Sequence, residues 1–240
     1  MHRLINGNCT HVLRDEKKRY SCIFADGPDN IGLGYGQYKD NLHDMEYRRT
    51  LSEWLRAFTH RADVTWISFN SKWLIPFAQI VDDHLKNYPE LEFKPFVQTF
   101  TFGQNRKTDC GNGHRPLWRF KWKDAPLYPE QIKVESWRQK NGDKRAAEGG
   151  RVPLDVWDFP RVVGNSKQRR SYHPTQLHEG LVERAVMMST KEGDEVCDPF
   201  GGTGTTLRVC KRINRPCTLI EIDSFYCSKI AEEHGLEVTT

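Results

Sequence analysis

The most restrictive feature of the chain lies near its end. A short apolar stretch, Glu195-Val196-Cys197-Asp198, runs into Pro199-Phe200-Gly201-Gly202-Thr203-Gly204 and then into a helical pattern from about Thr203. Glycines at such a turn let the backbone reverse sharply and approach a ligand with no Cβ in the way. The next apolar strand, Cys217-Thr218-Leu219-Ile220-Glu221-Ile222, brings Glu221 to its end, 23 residues after Asp198. That spacing suits a carboxylate that accepts hydrogen bonds from both hydroxyls of a ribose. Strand, glycine turn, helix and terminal acid together make a nucleotide-type βα unit. The loop has no Lys-Ser/Thr pair of the P-loop kind, which argues against ATP or GTP, and Pro199-Phe200 departs from the dinucleotide pattern G-x-G-x-x-G. An aromatic here matches a ligand with no pyrophosphate to cradle.

Three regions separate by pattern. Residues 1–102 alternate strand and helix: Ser21 to Asp26 as a buried strand, and a helix capped by Asp44 with Leu51, Trp54, Leu55 and Phe58 on one face. A β-rich Val64–Phe69 follows, then a helix capped by Ser71 with Trp73, Leu74, Phe77, Val81 and Leu85 on its stripe, and a strand from Phe96 to Phe102. Pro76 fits only near that helix's start. Residues 103–172 lose this periodicity, apart from Leu117–Trp122. There Trp118, Phe120 and Trp122 alternate with Arg119 and Lys121. Residues 173–240 return to the α/β rhythm, with Leu177, Leu181, Ala185 and Met188 on one helix face and Phe225 and Ile230 on the last helix. The expected fold is a layered α/β domain.

Charge is uneven. Between Gly103 and Arg170 there are 16 Lys/Arg against 8 Asp/Glu, so this stretch is strongly basic while the rest of the chain is net acidic. Trp118, Trp122, Trp137 and Trp157 are interleaved with the cations, a composition that suits phosphate contacts and stacking. A solvated basic insertion explains the charge equally well. Seven scattered cysteines without a CxxC pair predict free thiols in a reducing compartment. Cys110 and His114 lack a second ligand pair, so no metal is expected. No apolar run is long enough to span a membrane.

Asp198-Pro199-Phe200-Gly201-Gly202-Thr203-Gly204-Thr205-Thr206, preceded by His173-Pro174-Thr175-Gln176, resembles the cofactor motifs of the amino-methylating DNA methyltransferases. Over nearly its whole length the chain follows their β order: catalytic motif first, target recognition next, cofactor motif last. The resemblance implies a Rossmann-like methyltransferase fold with a mainly parallel central sheet, an inserted target-recognition segment at 103–172, and S-adenosylmethionine as cofactor. Asp198 to Gly204 would lie along that cofactor, Glu221 would hold its ribose, and His173 to Gln176 would close over its methionine end. The implied substrate is double-stranded DNA with a flipped base, methylated at adenine N6 ahead of cytosine N4. Arg145, Arg151, Arg161, Arg169 and Arg170 are candidate phosphate contacts. A homodimer, a prokaryotic or phage-infected cytoplasm and a restriction-modification setting also follow from the resemblance.

Asp26-Gly27-Pro28-Asp29 stands where the family carries Asp-Pro-Pro-Tyr. There the Asp side chain and the next carbonyl accept the two amino protons, and the aromatic stacks on the base. Asp26 and Pro28 are kept. Gly27 loosens the loop and Asp29 removes the stacking ring, while setting a second carboxylate beside the first. Three explanations compete: an impaired relative that retains cofactor and DNA binding, an altered acceptor, or stacking from Tyr35 or Tyr38. An NAD oxidoreductase would explain Glu221 and the glycines, but not His173 to Gln176 or the basic stretch.

Overall fold

The computed structural model describes residues 1–100, 107–145 and 149–240. In chain order these give β1 (Arg3–Asn6), α1 (Cys9–Asp15), β2 (Tyr20–Asp26), a hairpin of β3 (Gly34–Tyr35) and β4 (Tyr38–Lys39), α2 (Asp44–Arg61) and β5 (Ala62–Ser68). Then come α3 (Leu74–Asn87), β6 (Leu91–Thr99), β7 (His114–Trp122), α4 (Trp137–Lys140) and β8 (Val156–Asp158). The last part is α5 (Glu179–Ser189), β9 (Val196–Asp198), α6 (Thr205–Arg212), β10 (Cys217–Glu221), α7 (Ser224–His234) and β11 (Val238–Thr239).

Among the described residues the main sheet has nine strands in the order β11-β1-β10-β9-β2-β5-β7-β6-β8. From β11 to β5 all pairs are parallel, and β7 runs antiparallel to both β5 and β6. Helices cover both faces. Leu51, Leu55 and Phe58 of α2 and Phe77 and Val81 of α3 pack with Ile23, Ala25 and Ile67 on one side. Leu181 and Val186 of α5, Leu207 of α6 and Ile230 of α7 pack with Phe24, Trp66 and Leu219 on the other. Parallel strands covered on both faces explain why β2 and β5 read as nearly continuous apolar runs.

Several boundaries differ from expectation. His43 caps α2, its Nδ1 accepting from the Met45 amide at 3.3 Å, and Asp44 is the first helical residue. Ser71–Trp73 forms a 3₁₀ turn capped by Asn70, so the α-helix proper begins at Leu74 and Pro76 sits harmlessly in its first turn. Leu74 is 40% exposed and lies off the stripe that Trp73, Phe77 and Val81 bury. Tyr226 and Ile230, rather than the half-exposed Phe225, anchor α7. The strand expected at Phe96–Phe102 is β6, which starts at Leu91 and ends at Thr99; residues 101 and 102 lie outside the described residues.

The largest difference concerns the expected insertion. Its strand Leu117–Trp122 is part of β7, inside the main sheet between β5 and β6. Arg119 and Lys121 are therefore buried instead of facing solvent. The Lys121 ammonium donates to the Trp122 and Lys123 carbonyls at 3.0 and 2.8 Å and pairs with Glu92 at 3.1 Å. The Arg119 guanidinium lies over the Trp66 and Phe96 rings. The excursion away from the sheet spans about 123–155 before β8 returns to its edge beside β6.

Candidate active site

In the parallel part of the sheet, β9 connects through α6 to β10 on one side, while β2 connects through α2 to β5 on the other. The direction of winding thus reverses between β9 and β2, and open α/β sheets bind ligands in the crevice at the carboxyl ends of such strands. Asp198 ends β9 and Asp26 ends β2. Two clefts meet there.

The first cleft encloses about 930 Å³, the size of a site for a nucleoside-like ligand. Phe200 to Thr203, His173, Thr175, Gln176 and Glu221 all border it, together with Asp26 and Asp198; Pro199, Gly204 and Pro174 do not. Gly202 (φ +50°) and Gly204 (φ +74°) take the left-handed conformation the turn requires, and Gly204 caps α6. Asp198 braces this turn. Its carboxylate accepts from the Phe200 amide at 2.9 Å and the Thr206 hydroxyl at 2.5 Å. Burial pushes Asp198 up to about 7 against those two bonds.

Glu221 accepts the Gly202 amide on one oxygen at 2.7 Å and the Asp223 amide on the other at 2.8 Å. Each oxygen keeps a lone pair for a hydroxyl, and burial raises its pKa. The His173 ring packs on Tyr226 and Tyr35, with centroids 4.7 and 5.5 Å away, and burial lowers its pKa toward the neutral form. Gln176 ties the segment down, accepting from the Arg170 amide at 3.0 Å and donating to the Gln168 carbonyl at 2.6 Å.

Other wall residues carried no motif signal: Asn8, Trp54 and Tyr226. Asn8 caps α1 and Trp54 lies on the buried stripe of α2, so both read in sequence as ordinary structure. Tyr38 also borders this cleft, and its buried hydroxyl has no partner among the described residues. A buried, unpaired hydroxyl on a cleft wall fits a site shaped for a polar ligand. Tyr38 therefore faces the nucleoside side of the crevice. Tyr35 borders both clefts, its hydroxyl 3.2 Å from that of Thr175.

The second cleft encloses about 970 Å³ and shares Asp26, Tyr35, Thr175 and Gln176 with the first. Asp26 is thus at the junction. Gly27 does not loosen the loop here. A Cβ at this position would stand 2.9 Å from the Phe200 ring and 3.2 Å from Trp54, so glycine is what lets the loop lie against both rings. The Pro28 carbonyl accepts from the Tyr47 hydroxyl at 2.6 Å and the Asp29 carbonyl from the Trp73 indole at 2.6 Å. No hydrogen bond among the described residues ends on the Gly27 carbonyl.

Asp29 does not face the cleft as a free second acid. Arg115, at the start of β7, forks onto it at 2.6 and 3.1 Å, and the Asn70 amide donates to it at 2.8 Å. The same guanidinium reaches Asp26 Oδ1 at 2.8 Å and the Ser68 hydroxyl at 2.7 Å. Burial pushes Asp26 upward while Arg115 pulls it back and Asp29 adds to the rise. Burial works against the Arg115 charge, and the carboxylates of Asp29 and Asp26 more than reverse that, so its pKa lies above the ordinary value. Arg115 was not legible as a site residue. The available signal is positional: the first residues of a strand antiparallel to β5 lie at the carboxyl edge of the parallel strands.

The five candidate arginines do not form one surface. Arg161 borders the second cleft, over the Phe100 ring at 5.6 Å. Arg145 forks onto Asp143 at 3.0 and 2.9 Å, and Arg170 onto Glu233 of α7 at 3.1 and 2.6 Å, which ties Arg170 to the first-cleft half. Arg151 is exposed and pairs through its backbone with Val134. Arg169 donates to the Arg170 carbonyl at 3.1 Å. Six cysteines are buried free thiols and Cys110 is exposed. Among the described residues no helix is long and apolar enough to cross a membrane.

Residues 20–233 match a family described as DNA methylase. Type II methyltransferase M.HpaI of Haemophilus parainfluenzae is 30% identical over 239 residues, covering 96% of this chain and 73% of that protein. DNA adenine methyltransferase YhdJ of Escherichia coli K12 is 31% identical over 224 residues, covering 85% and 72%. Among solved structures, the cytosine-N4-specific PvuII DNA methyltransferase superposes with a TM-score of 0.72 at 15% identity, over 97% of this chain and 88% of that one. A complex of M1.HpyAVI with S-adenosylmethionine gives 0.65 at 17% identity, over 98% and 100%.

Proposed function

The chain belongs to the DNA methylase family, whose methyl donor is S-adenosylmethionine, and from that premise we propose that it methylates an exocyclic base amine in double-stranded DNA, adenine N6 ahead of cytosine N4. One observation carries the reading: Asp26 stands where the two clefts meet, with Oδ1 tied to Arg115 and no hydrogen bond among the described residues ending on Oδ2. A donor in the first cleft and a flipped base in the second would meet at that carboxylate. The order of preference follows from Asp26 in the first motif position, and a relative named as an adenine methyltransferase accords with it.

In this reading Glu221 holds the ribose hydroxyls, the Gly201-Gly202 turn lies along the nucleoside, and His173 to Gln176 form the wall toward the second cleft. When bound, S-adenosylmethionine supplies a methyl group on a sulfonium sulfur that leaves as a neutral thioether. An aromatic amine is a poor nucleophile because its lone pair is delocalised into the ring. Asp26 Oδ2 and the Gly27 carbonyl are placed to accept its two hydrogens, drawing the nitrogen toward sp³ geometry and aiming its lone pair at the methyl carbon. As the nitrogen becomes cationic, Asp26 is the group in position to take the released proton. Arg161, beside the second cleft, is a candidate phosphate or base contact, and residues 123–172 are the candidate target-recognition segment.

The test is transfer of label from methyl-tritiated S-adenosylmethionine to duplex DNA of mixed sequence, with wild type and Asp26→Ala side by side. Transfer by wild type is expected, with at least a ~100-fold loss in Asp26→Ala and unchanged cofactor affinity. Cofactor binding without transfer by wild type would favour the impaired-relative reading.

A further inference from the structure

Where the family presents an aromatic ring, this chain presents Asp29, and Asp29 is fully occupied: both its oxygens accept from Arg115, and one also takes the Asn70 amide. It offers nothing to a substrate. Arg115 is equally committed. Its five N–H donors serve Asp29, Asp26 Oδ1 and the Ser68 hydroxyl, and it approaches from a different strand of the sheet. Two carboxylates a few ångströms apart cannot both stay ionised in a half-buried pocket without a cation. Here one guanidinium bridges them and leaves the group with a single net negative charge.

We propose that Arg115 and Asp29 form a positioning pair: Asp29 anchors the Arg115 fork, and the fork fixes the Asp26 carboxylate so that Oδ1 is held and Oδ2 is presented to the acceptor amine. The pair takes over the rigidity that a proline at position 27 gives relatives, because Gly27 is needed there for the close approach of Phe200 and Trp54. It also matches the electrostatics of the step. A nitrogen gaining positive charge is stabilised by a net anionic neighbour, whereas an unbridged pair of acids would hold a proton and donate where it should accept. The charged and titratable groups facing Asp26 are Arg115 from β7, Asp29 from its own loop, Asp198 from β9 and Tyr35 from the hairpin.

This inference rests on the methyl-transfer reading, and the experiment separates the two failures. Wild type, Arg115→Lys, Arg115→Met and Asp29→Asn are compared for kcat and KM on DNA, cofactor Kd by calorimetry, and the pH profile of kcat. Each is also followed by carbon NMR titration of aspartate-labelled protein. Arg115→Met should lower kcat about 100-fold, the scale of a small misplacement of a reacting group, with cofactor Kd within about threefold of wild type. Its acidic limb should move to higher pH, because Asp26 loses the cation that holds it down. Arg115→Lys should recover part of the rate by restoring charge without the fork, and Asp29→Asn should lower kcat without touching cofactor affinity. A folded Arg115→Met with wild-type kcat would overturn the proposal, as would a change in KM for DNA alone, which would make Arg115 a DNA contact. If wild type transfers nothing, the function reading fails. The pairing then stands or falls on whether Arg115→Met raises the Asp26 titration seen by NMR, and an unmoved titration overturns it.

Discussion

Gly27 shows how much one missing Cβ decides at this site. Its replacement by alanine would drive a methyl group into the Phe200 ring, itself packed edge-on against Trp54 and Phe58. Overpacking of this kind costs about 1–3 kcal/mol, so Gly27→Ala should lower the melting temperature and weaken cofactor binding together, read by thermal denaturation and calorimetry. Restoring the family's motif by Gly27→Pro with Asp29→Tyr should lower transfer as well. It adds the same clash and strips the buried Arg115 of its bidentate partner. Asp198 makes a second residue-scale prediction. A carboxyl raised to about 7 in the folded state binds more protons than the unfolded chain from about pH 4 upward, so its contribution is full below pH 4 and is lost as pH rises through 7. Histidines 84 and 234, lowered to about 4, act in the opposite sense over much of that window. The readout is therefore the difference: Asp198→Asn should remove the falling component from the stability–pH curve of the apoprotein, and superimposable slopes would contradict the assignment. At this scale the sequence carried the backbone of the site, because glycine turns and strand-ending acids are local signals. It could not carry Arg115, 86 residues from Asp29 in the chain, whose role exists only once β7 lies against β5.

Among the elements, the β3–β4 hairpin matters most to the first cleft. Tyr35 and Tyr38 flank a two-residue turn with Gly36 at φ +54°, and both border the cleft. The turn is fastened to α7: the Gln37 amide donates to the Asp223 carboxylate at 2.8 Å, and Asp223 in turn caps α7 through the Phe225 amide. At the hairpin's base, Asp40 gathers the Asn30, Ile31 and Leu33 amides at 2.7, 3.2 and 2.9 Å. A Cβ on Gly36 would fall 2.1 Å from Asp223 Oδ2, too close for the turn to stay docked. Gly36→Ala should therefore weaken S-adenosylmethionine binding by about tenfold, or ~1.4 kcal/mol, while the core melts as before. An unchanged Kd would show that the hairpin is not part of the binding surface. Helices α2, α5 and α6 and strands β2, β5 and β10 were legible, because long periodic or continuous apolar segments report themselves. The hairpin, β1 and β11 were not. Their strands are two to four residues long, and β1 joins the sheet only by pairing with β10 at the other end of the chain. β7 was seen as a strand but assigned to an insertion, since a basic residue on alternate positions reads as a solvated face until a second sheet neighbour buries it.

Taken whole, the molecule divides its charge by place as well as by sequence. Part of the basic stretch is consumed by structure: Arg119 and Lys121 in the sheet, Arg115 in the site, Arg145 and Arg170 in ion pairs. Arg161 stays beside the second cleft, and Arg151 lies exposed beyond the sheet. Arg161→Ala should raise KM for DNA with little effect on cofactor Kd, and should flatten the salt dependence of DNA binding by about one counterion; an unchanged slope would remove it from the interface. Order along the chain predicted the overall architecture because the two halves of the switch point, β2 with Asp26 and β9 with Asp198, each carry their own motif. Their meeting in one crevice is a property of the sheet alone. The most direct test is to incubate wild-type protein with duplex DNA and methyl-labelled S-adenosylmethionine, hydrolyse the DNA and identify the labelled base. The account predicts label on N6-methyladenine, dependent on Asp26. Bound cofactor with no labelled base on any duplex, or label on a ring carbon instead of an exocyclic nitrogen, would contradict it.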